Sequence, residues 1–360
     1  MNLNKKCIGC GVYLTNDPTS FGYTPKLDEN KKYCMRCFQL KNYNRESLPK
    51  DVVNNEVYVN DVISEIDLKN LLILNVLDIL DLDNTIIDEL STHQDSVVFI
   101  VNKLDLLPKK YHAENTNHFV EQTLMHHGFK HPKIIYSSIK NNSSIKRIFS
   151  LIKDYNKEKK KTIFFGKSNV GKSSIINHIL KNNKVEMHLT TNAKTNTTLN
   201  INKITVDRCQ ILDCPGIVYK DNILNYVNPK DVEHLIANDI KVSNYQIEKD
   251  QSIMVSGLLA VSFKEGTPTT FSFYLNRNVD IKRVKSVNLM KNFEKRNSIF
   301  KYNYQKDIEF TTTEITLDES KKHNISLNGL GMISISPGAS LIIIHHPKNI
   351  NIKLNAYAII

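Results

Sequence analysis

A chain of 360 residues, 41% apolar and carrying a net charge of +11, is long enough for two or three domains and too apolar to be disordered. The basic excess admits a polyanionic partner, nucleic acid or a membrane surface, although Lys and Asn richness along the whole chain dilutes that signal. The start MNLNKKCIGCG has no apolar core for a signal peptide, and the longest apolar run, residues 70–82, is interrupted by Asp78 and Asp81; the expectation is a cytoplasmic protein with no membrane span.

The first patterned feature is Cys7-x2-Cys10 followed by Cys34-x2-Cys37, with 23 residues between the pairs. Each CxxC turn sets two thiolates on one side of a metal, and two turns complete a tetrahedral sulfur shell. Disulfides do not persist in a reducing compartment, so the four cysteines read as a structural Zn2+ site. Lys, Arg and Tyr residues around it leave two readings open, a nucleic-acid contact or a solvated knuckle.

The stretch VVFIVNKLD, residues 97–105, predicts a buried strand that ends in Asn102-Lys103-Leu104-Asp105. A carboxylate at Asp105 can accept two hydrogen bonds from the N1–H and N2–H2 of guanine. Adenine offers no such pair, so it would leave the carboxylate unsatisfied. Asn102 would bridge base and loop, and the Lys103 stem would cover the ring. One helix later, KIIYSSIK ends a strand at Ser137 and Ser138, where the backbone N–H of Ser138 is expected to meet guanine O6.

A charged connector, NKEKKK at 156–161, then leads to TIFFGKSNVGKSSIINHIL, residues 162–180. Strand, glycine-rich loop and helix follow in the order that a phosphate loop requires. Gly166, Lys167, Ser168, Asn169, Val170, Gly171, Lys172, Ser173 and Ser174 are the candidate phosphate-binding residues. Backbone N–H groups and the positive helix end cradle phosphates, Lys172 contacts the β- and γ-phosphate oxygens, and Ser173 ligates Mg2+. Downstream, the threonine-rich stretch 189–200 offers a switch ligand for the metal, Thr198 or Thr197. QILDCPGIVY, residues 210–219, is expected to deliver Asp213 to the metal through water and the Gly216 N–H to the γ-phosphate.

The guanine motifs thus precede the phosphate loop, the reverse of the usual order. A parallel α/β nucleotide fold tolerates this, because termini that lie close together can be joined and the chain opened elsewhere. After Gly216, alternation in 271–275, 332–336 and 350–354 predicts a mostly β unit. Residues 277–301 carry eight Lys or Arg against two acidic residues, with Phe293, Phe300 and Tyr302 nearby, either an RNA face or a solvated basic helix. His345 and His346 read as the end of a strand.

In the cysteine pairs, NKLD, GKSNVGKS, DCPG and the C-terminal segments at 326–339 and 347–354, the chain resembles the YqeH family of circularly permuted, zinc-finger GTPases of ribosome biogenesis. The resemblance implies an α/β fold. A circularly permuted Ras-like P-loop GTPase domain at 51–222 would follow a treble-clef-like zinc finger at 1–50 and precede a β-rich domain at 223–360. It implies GTP and GDP as ligands, the small ribosomal subunit or its precursor and 16S rRNA as partners, and a catalytic set of Lys172, Asn169 and Gly216. Position 217 is Ile where many GTPases carry a water-positioning Gln, so slow intrinsic turnover is expected. Asn169 stands where K+-stimulated relatives hold the ion; it either does so here or caps the loop. The competing reading is an RNA-binding adaptor whose nucleotide site is only structural.

Overall fold

The computed structural model describes residues 5, 13–16, 23–25, 27, 31–34 and 63, and residues 68–358 except 109–110, 159, 185–200, 215, 218–220, 229–230, 303, 305–307 and 356–357. Cys7, Cys10, Cys37, Thr197 and Thr198 lie outside the described residues. Cys34 is buried in a small cluster with Leu14, Leu27 and Tyr33. Among the described residues no group of three or more His, Cys, Asp or Glu side chains is arranged to hold a metal, and no helix is long and apolar enough to cross a membrane.

Contacts divide the chain into two compact units that do not follow linear boundaries: Met1–Val76, Glu89–Ile100 and Lys133–Val218 form one, and Leu77–Asp88, Val101–Pro132 and Tyr219–Ile360 the other.

The first is built on a six-stranded sheet. Its strands and helices are β1 (Leu71–Asp78) and β2 (Val97–Asn102), each of whose last two residues are grouped with the other unit, then β3 (Lys133–Tyr136), α3 (Asn142–Lys157), β4 (Lys161–Phe165), α4 (Lys172–Asn182), β5 (Asn202–Val206) and β6 (Cys209–Asp213), while α1 (Leu82–Thr85) and α2 (Ala113–His126) belong to the other unit. The strands lie in the order β3-β2-β1-β4-β6-β5. β1 and β4 pair in parallel, Leu71 to Asn75 beside Lys161 to Phe165, and β4 and β6 likewise. β5 returns antiparallel at the edge. Every residue of β1 and β2 is buried, as apolar runs without alternation predict for strands covered on both faces. Leu72, Leu74 and Val76 on one face meet Ile145, Ile148 and Ile152 of α3 and Ile175, Ile176 and Ile179 of α4. In both helices these apolar positions fall three or four apart, so they form one stripe.

Counted from the phosphate-loop strand as first, the sheet order reads 2-3-1-4-5-6. The strands that end at Asn102 and Tyr136 occupy the places expected of later strands, yet come first in the chain. Of the charged run expected as a connector at 156–161, residues 156 and 157 end α3 and Lys161 opens β4.

The second unit holds α5 (Val232–Leu235), β7 (Ile240–Ile247), β8 (Gln251–Val255), β9 (Leu259–Gly266), β10 (Thr269–Asn276), β11 (Ile281–Lys285), α6 (Leu289–Glu294), α7 (Arg296–Ile299), β12 (Phe310–Thr316), β13 (His323–Ser326), β14 (Gly331–Ile335) and β15 (Ala339–Pro347). They make two antiparallel sheets, β13-β14-β10-β7 and β11-β8-β9-β15-β12. One apolar core draws on both, including Phe271, Phe273 and Ile333 from one and Ile253, Phe263 and Ile344 from the other. His345 and His346 lie on β15, hydrogen-bonded to Ser262 and Thr313. The expected strand at 350–354 is not one. Ile350 and Ile352 are buried, but only an isolated bridge from Leu354 to Ile325 forms there. Alternating burial packed the segment on the core without a neighbouring strand to complete a ladder.

At the C-terminal end of α2, His127 sits between Asp83 and Asp88, its Nε2 3.0 Å from one carboxylate and its Nδ1 2.5 Å from the other. Burial opposes the imidazolium, but the hydrogen bonds it donates to Asp83 and Asp88 outweigh that and raise the pKa to about 9. A cation gained on folding stabilises fully below the ordinary histidine value and is lost as pH rises through about 9. The unfolding midpoint of the wild type should therefore fall between pH 7 and 10 by more than that of His127→Asn, measured by thermal denaturation across that range.

Candidate nucleotide-binding site

β4 ends at Phe165, and the chain then turns through Gly166 at φ 152° and Gly171 at φ 100° before α4 begins at Lys172. A Cβ on Gly166 would meet the Val76 carbonyl oxygen at 2.7 Å, so only glycine fits this turn. Asn169 is in the left-handed region, φ 67°, which Asn enters more readily than most residues. Lys172 is buried, and its ammonium donates to the Gly166 and Lys167 carbonyls at 2.8 and 3.3 Å. The lysine head is thereby held inside its own loop, at the positive end of α4.

The DxPG segment reaches this loop through strand register. Phe164 of β4 pairs with Asp213 of β6, and Cys214 N donates to Phe164 O at 3.3 Å. Beyond it, Ile217 forms a parallel bridge with Lys167: Ile217 N donates to Gly166 O, and Ser168 N donates to Ile217 O. Gly216 lies between. A Cβ there would come within 3.0 Å of Ser168 Oγ and 3.5 Å of Lys172 Nζ. The space bordered by Gly216, Ser168 and the ammonium is one that a side chain would fill. With a cation and a helix N-terminus at its edge it fits a phosphate group. Ser173 in the first turn of α4 and Asp213 at the end of β6 supply hydroxyl and carboxylate oxygens, the hard donors that suit Mg2+. Burial pushes the Cys214 thiol up to about 12, and Asp213 adds to the shift, so it stays protonated and takes no metal.

In this same unit Ser137 and Ser138 follow β3, both buried. The Ser138 N–H, expected to face the base, donates to Ser144 Oγ at 3.3 Å, and the Ser144 hydroxyl returns a bond to Ser138 O. Ser144 was not singled out by the sequence, because one serine in a helix carries no spacing signal. Ser137 Oγ is buried without a hydrogen-bond partner among the described residues.

The other unit contains Asn102, Lys103 and Asp105. β2 ends at Asn102, which is buried, and Lys103 turns the chain at φ 65° and ψ 28° into a 3-10 turn at Leu104–Leu106. Asp105 lies in that turn, exposed. The Lys103 ammonium is 2.6 Å from Asp78 Oδ2 and 3.2 Å from the Ala237 carbonyl oxygen. Asp78 figured in the sequence only as a break in an apolar run.

Residues 161–258 match the family model described as 50S ribosome-binding GTPase. That match runs from the phosphate-loop strand through DCPG, and this region is part of a P-loop GTPase domain. With NKLD upstream of the phosphate loop and the strand order above, the domain is circularly permuted. No curated protein matches the chain. Two solved structures that resemble it are those of YlqF from T. maritima, one GNP-bound (18% identity, TM-score 0.29) and one GDP-bound (20% identity, TM-score 0.30). Each alignment covers 49% of this chain and 61% or 62% of the YlqF chain, less than two thirds of its length.

Gly166→Ala is expected to lower the unfolding midpoint, with a cost of about 1–3 kcal/mol from a strained backbone and a displaced carbonyl. It should also abolish retention on a GTP-analogue resin, with thermal denaturation and binding as the two measurements.

Proposed function

We propose that this protein is a cytosolic GTP-hydrolysing switch that acts on a ribosomal particle. The observation that carries the reading is the β4–β6 register, which pairs Asp213 with Phe164 just before the loop and is followed by Gly216 beside Lys172. Residues 166–174 bind the phosphates, and Asn102, Lys103 and Asp105 with Ser137 and Ser138 read the guanine. Exclusion of ATP follows from the carboxylate of Asp105.

The residues have separable roles. Loop N–H groups and Lys172 orient the triphosphate and draw charge from its oxygens. Gly216 leaves room for the γ-phosphate and offers its N–H. Ser173, Asp213 and Thr198 are the donors for Mg2+, which when bound would neutralise the β- and γ-phosphate oxygens. Asn169, with its left-handed backbone, is the candidate holder of K+. Ile217 is 2% exposed and bridged to Lys167, so position 217 cannot orient the attacking water. That supports slow intrinsic turnover. It also favours the second reading, an RNA-binding adaptor that keeps GTP for structure.

The proposed partner is the small ribosomal subunit or its precursor, through 16S rRNA, on the strength of the resemblance to the YqeH family. The name of the matched family points instead to the 50S particle. In the second unit, Lys282, Arg283, Lys285, Lys291 and Lys295 are exposed around Val287 and Met290, which are 85% and 55% exposed. This mixed basic and apolar surface suits a phosphate backbone. Phe293, Phe300 and Tyr302 are buried, and Arg296 is buried against Phe310, so these four belong to the core and not to base stacking. Cys7, Cys10, Cys34 and Cys37 are proposed to hold one Zn2+.

Three measurements test this. Purified protein should hydrolyse GTP but not ATP, faster in K+ than in Na+, and Lys172→Ala should lose binding or turnover; normal turnover by Lys172→Ala would sink the assignment. GTP retained without turnover favours the adaptor. Sedimentation with ribosomal particles in GTP analogue against GDP decides between small and large subunits. One zinc per chain, lost in Cys34→Ser, is expected by elemental analysis.

A further inference from the structure

Lysine is a poor residue for fixing a loop by itself, because its four-carbon stem keeps many rotamers. Lys103 is nevertheless asked to hold a left-handed backbone, φ 65°, where an L-residue loses roughly 1 kcal/mol. Its ammonium is therefore informative. It is tied at 2.6 Å to Asp78 Oδ2, with side-chain exposures of 13% and 10%, and at 3.2 Å to the Ala237 carbonyl.

Asp78 is itself immobilised. Its Oδ1 accepts from Leu80 N at 3.0 Å, capping the 3-10 turn Ile79–Asp81. Its own N–H donates to Thr85 Oγ1 at 3.1 Å, and that hydroxyl is bonded in turn to the Asp81 and Leu82 carbonyls. A cap alone would accept Ser, Thr or Asn as well as Asp. Only a carboxylate serves the cap with one oxygen and a cation with the other, a charge-assisted bond.

We propose that Asp78 is the positioning residue of the guanine-reading loop. It fixes the Lys103 head so that the stem, and the Asn102 and Asp105 on either side, present one prepared geometry to the base. The inference rests on the reading of residues 102–105 as the guanine site. It adds a residue outside that motif, at the end of a different strand, on which base affinity depends. Because the base is common to GTP and GDP, the loss should fall equally on both.

The test is nucleotide binding by the full chain, with a fluorescent GDP probe competed by GTP, GDP and ATP. Asp78→Asn keeps the cap and removes the charge; it should weaken GTP and GDP alike by about tenfold, the size of one lost charge-assisted bond. In a Lys103→Met background the same change should have no further effect. A merely structural role would lower the unfolding midpoint without this dependence on Lys103. If Asp78→Asn does not fold by circular dichroism, Asp78→Ser, which also retains a cap, carries the same expectation. The inference fails if either variant binds GDP within twofold of wild type, or if the loss is undiminished when Lys103 is absent. If the wild type binds no guanine nucleotide, the guanine reading falls and the inference with it.

Discussion

Phe164 of β4 lies beside Asp213 of β6 in parallel register, and the proposed phosphate site depends on that pairing. It places the end of one strand against the loop that follows the other. Once Asp213 is fixed there, Gly216 and Ile217 have a single course, along Lys167 and Gly166. A slip of one residue would turn the whole segment to the other face of the sheet. The buried apolar runs of β4 and β6 make such a slip expensive, so the core sets the geometry of the proposed phosphate site.

The same sheet accounts for the rewired chain. A parallel pair needs a crossover, but it does not need its two strands to be close in sequence. β1 and β4 are separated by three helices and two strands, yet pair residue for residue from Leu71 to Asn75. The fold depends on which strands are neighbours, and the polypeptide can begin at β1 or at β4 without changing them.

Within the β-rich unit, charge and burial separate two kinds of basic residue that composition treats as one. Arg296 stacks on Phe310 and bonds the Phe293 carbonyl, and is part of the core. Lys285, Lys291 and Lys295 are exposed around Val287 and Met290, which are themselves exposed. Only the latter group can neutralise phosphates.

The phosphate loop, its strand and its helix were legible in the sequence, because glycine positions, an apolar run and 3.6-residue periodicity are local signals. The inverted motif order was legible for the same reason, and with it the permutation. Strand at 350–354 was misread, since alternation reports burial on one face and says nothing about a hydrogen-bonded neighbour. The burial of Phe293, Phe300 and Tyr302 was equally out of reach, because a basic stretch with aromatics looks the same whether the rings point in or out. Asp78, Ser144 and the bridge from Ile217 to Lys167 were decided by tertiary structure alone. Each acts through a partner distant in the chain or through one hydrogen bond, and such partners are chosen by packing and register, which no local pattern encodes.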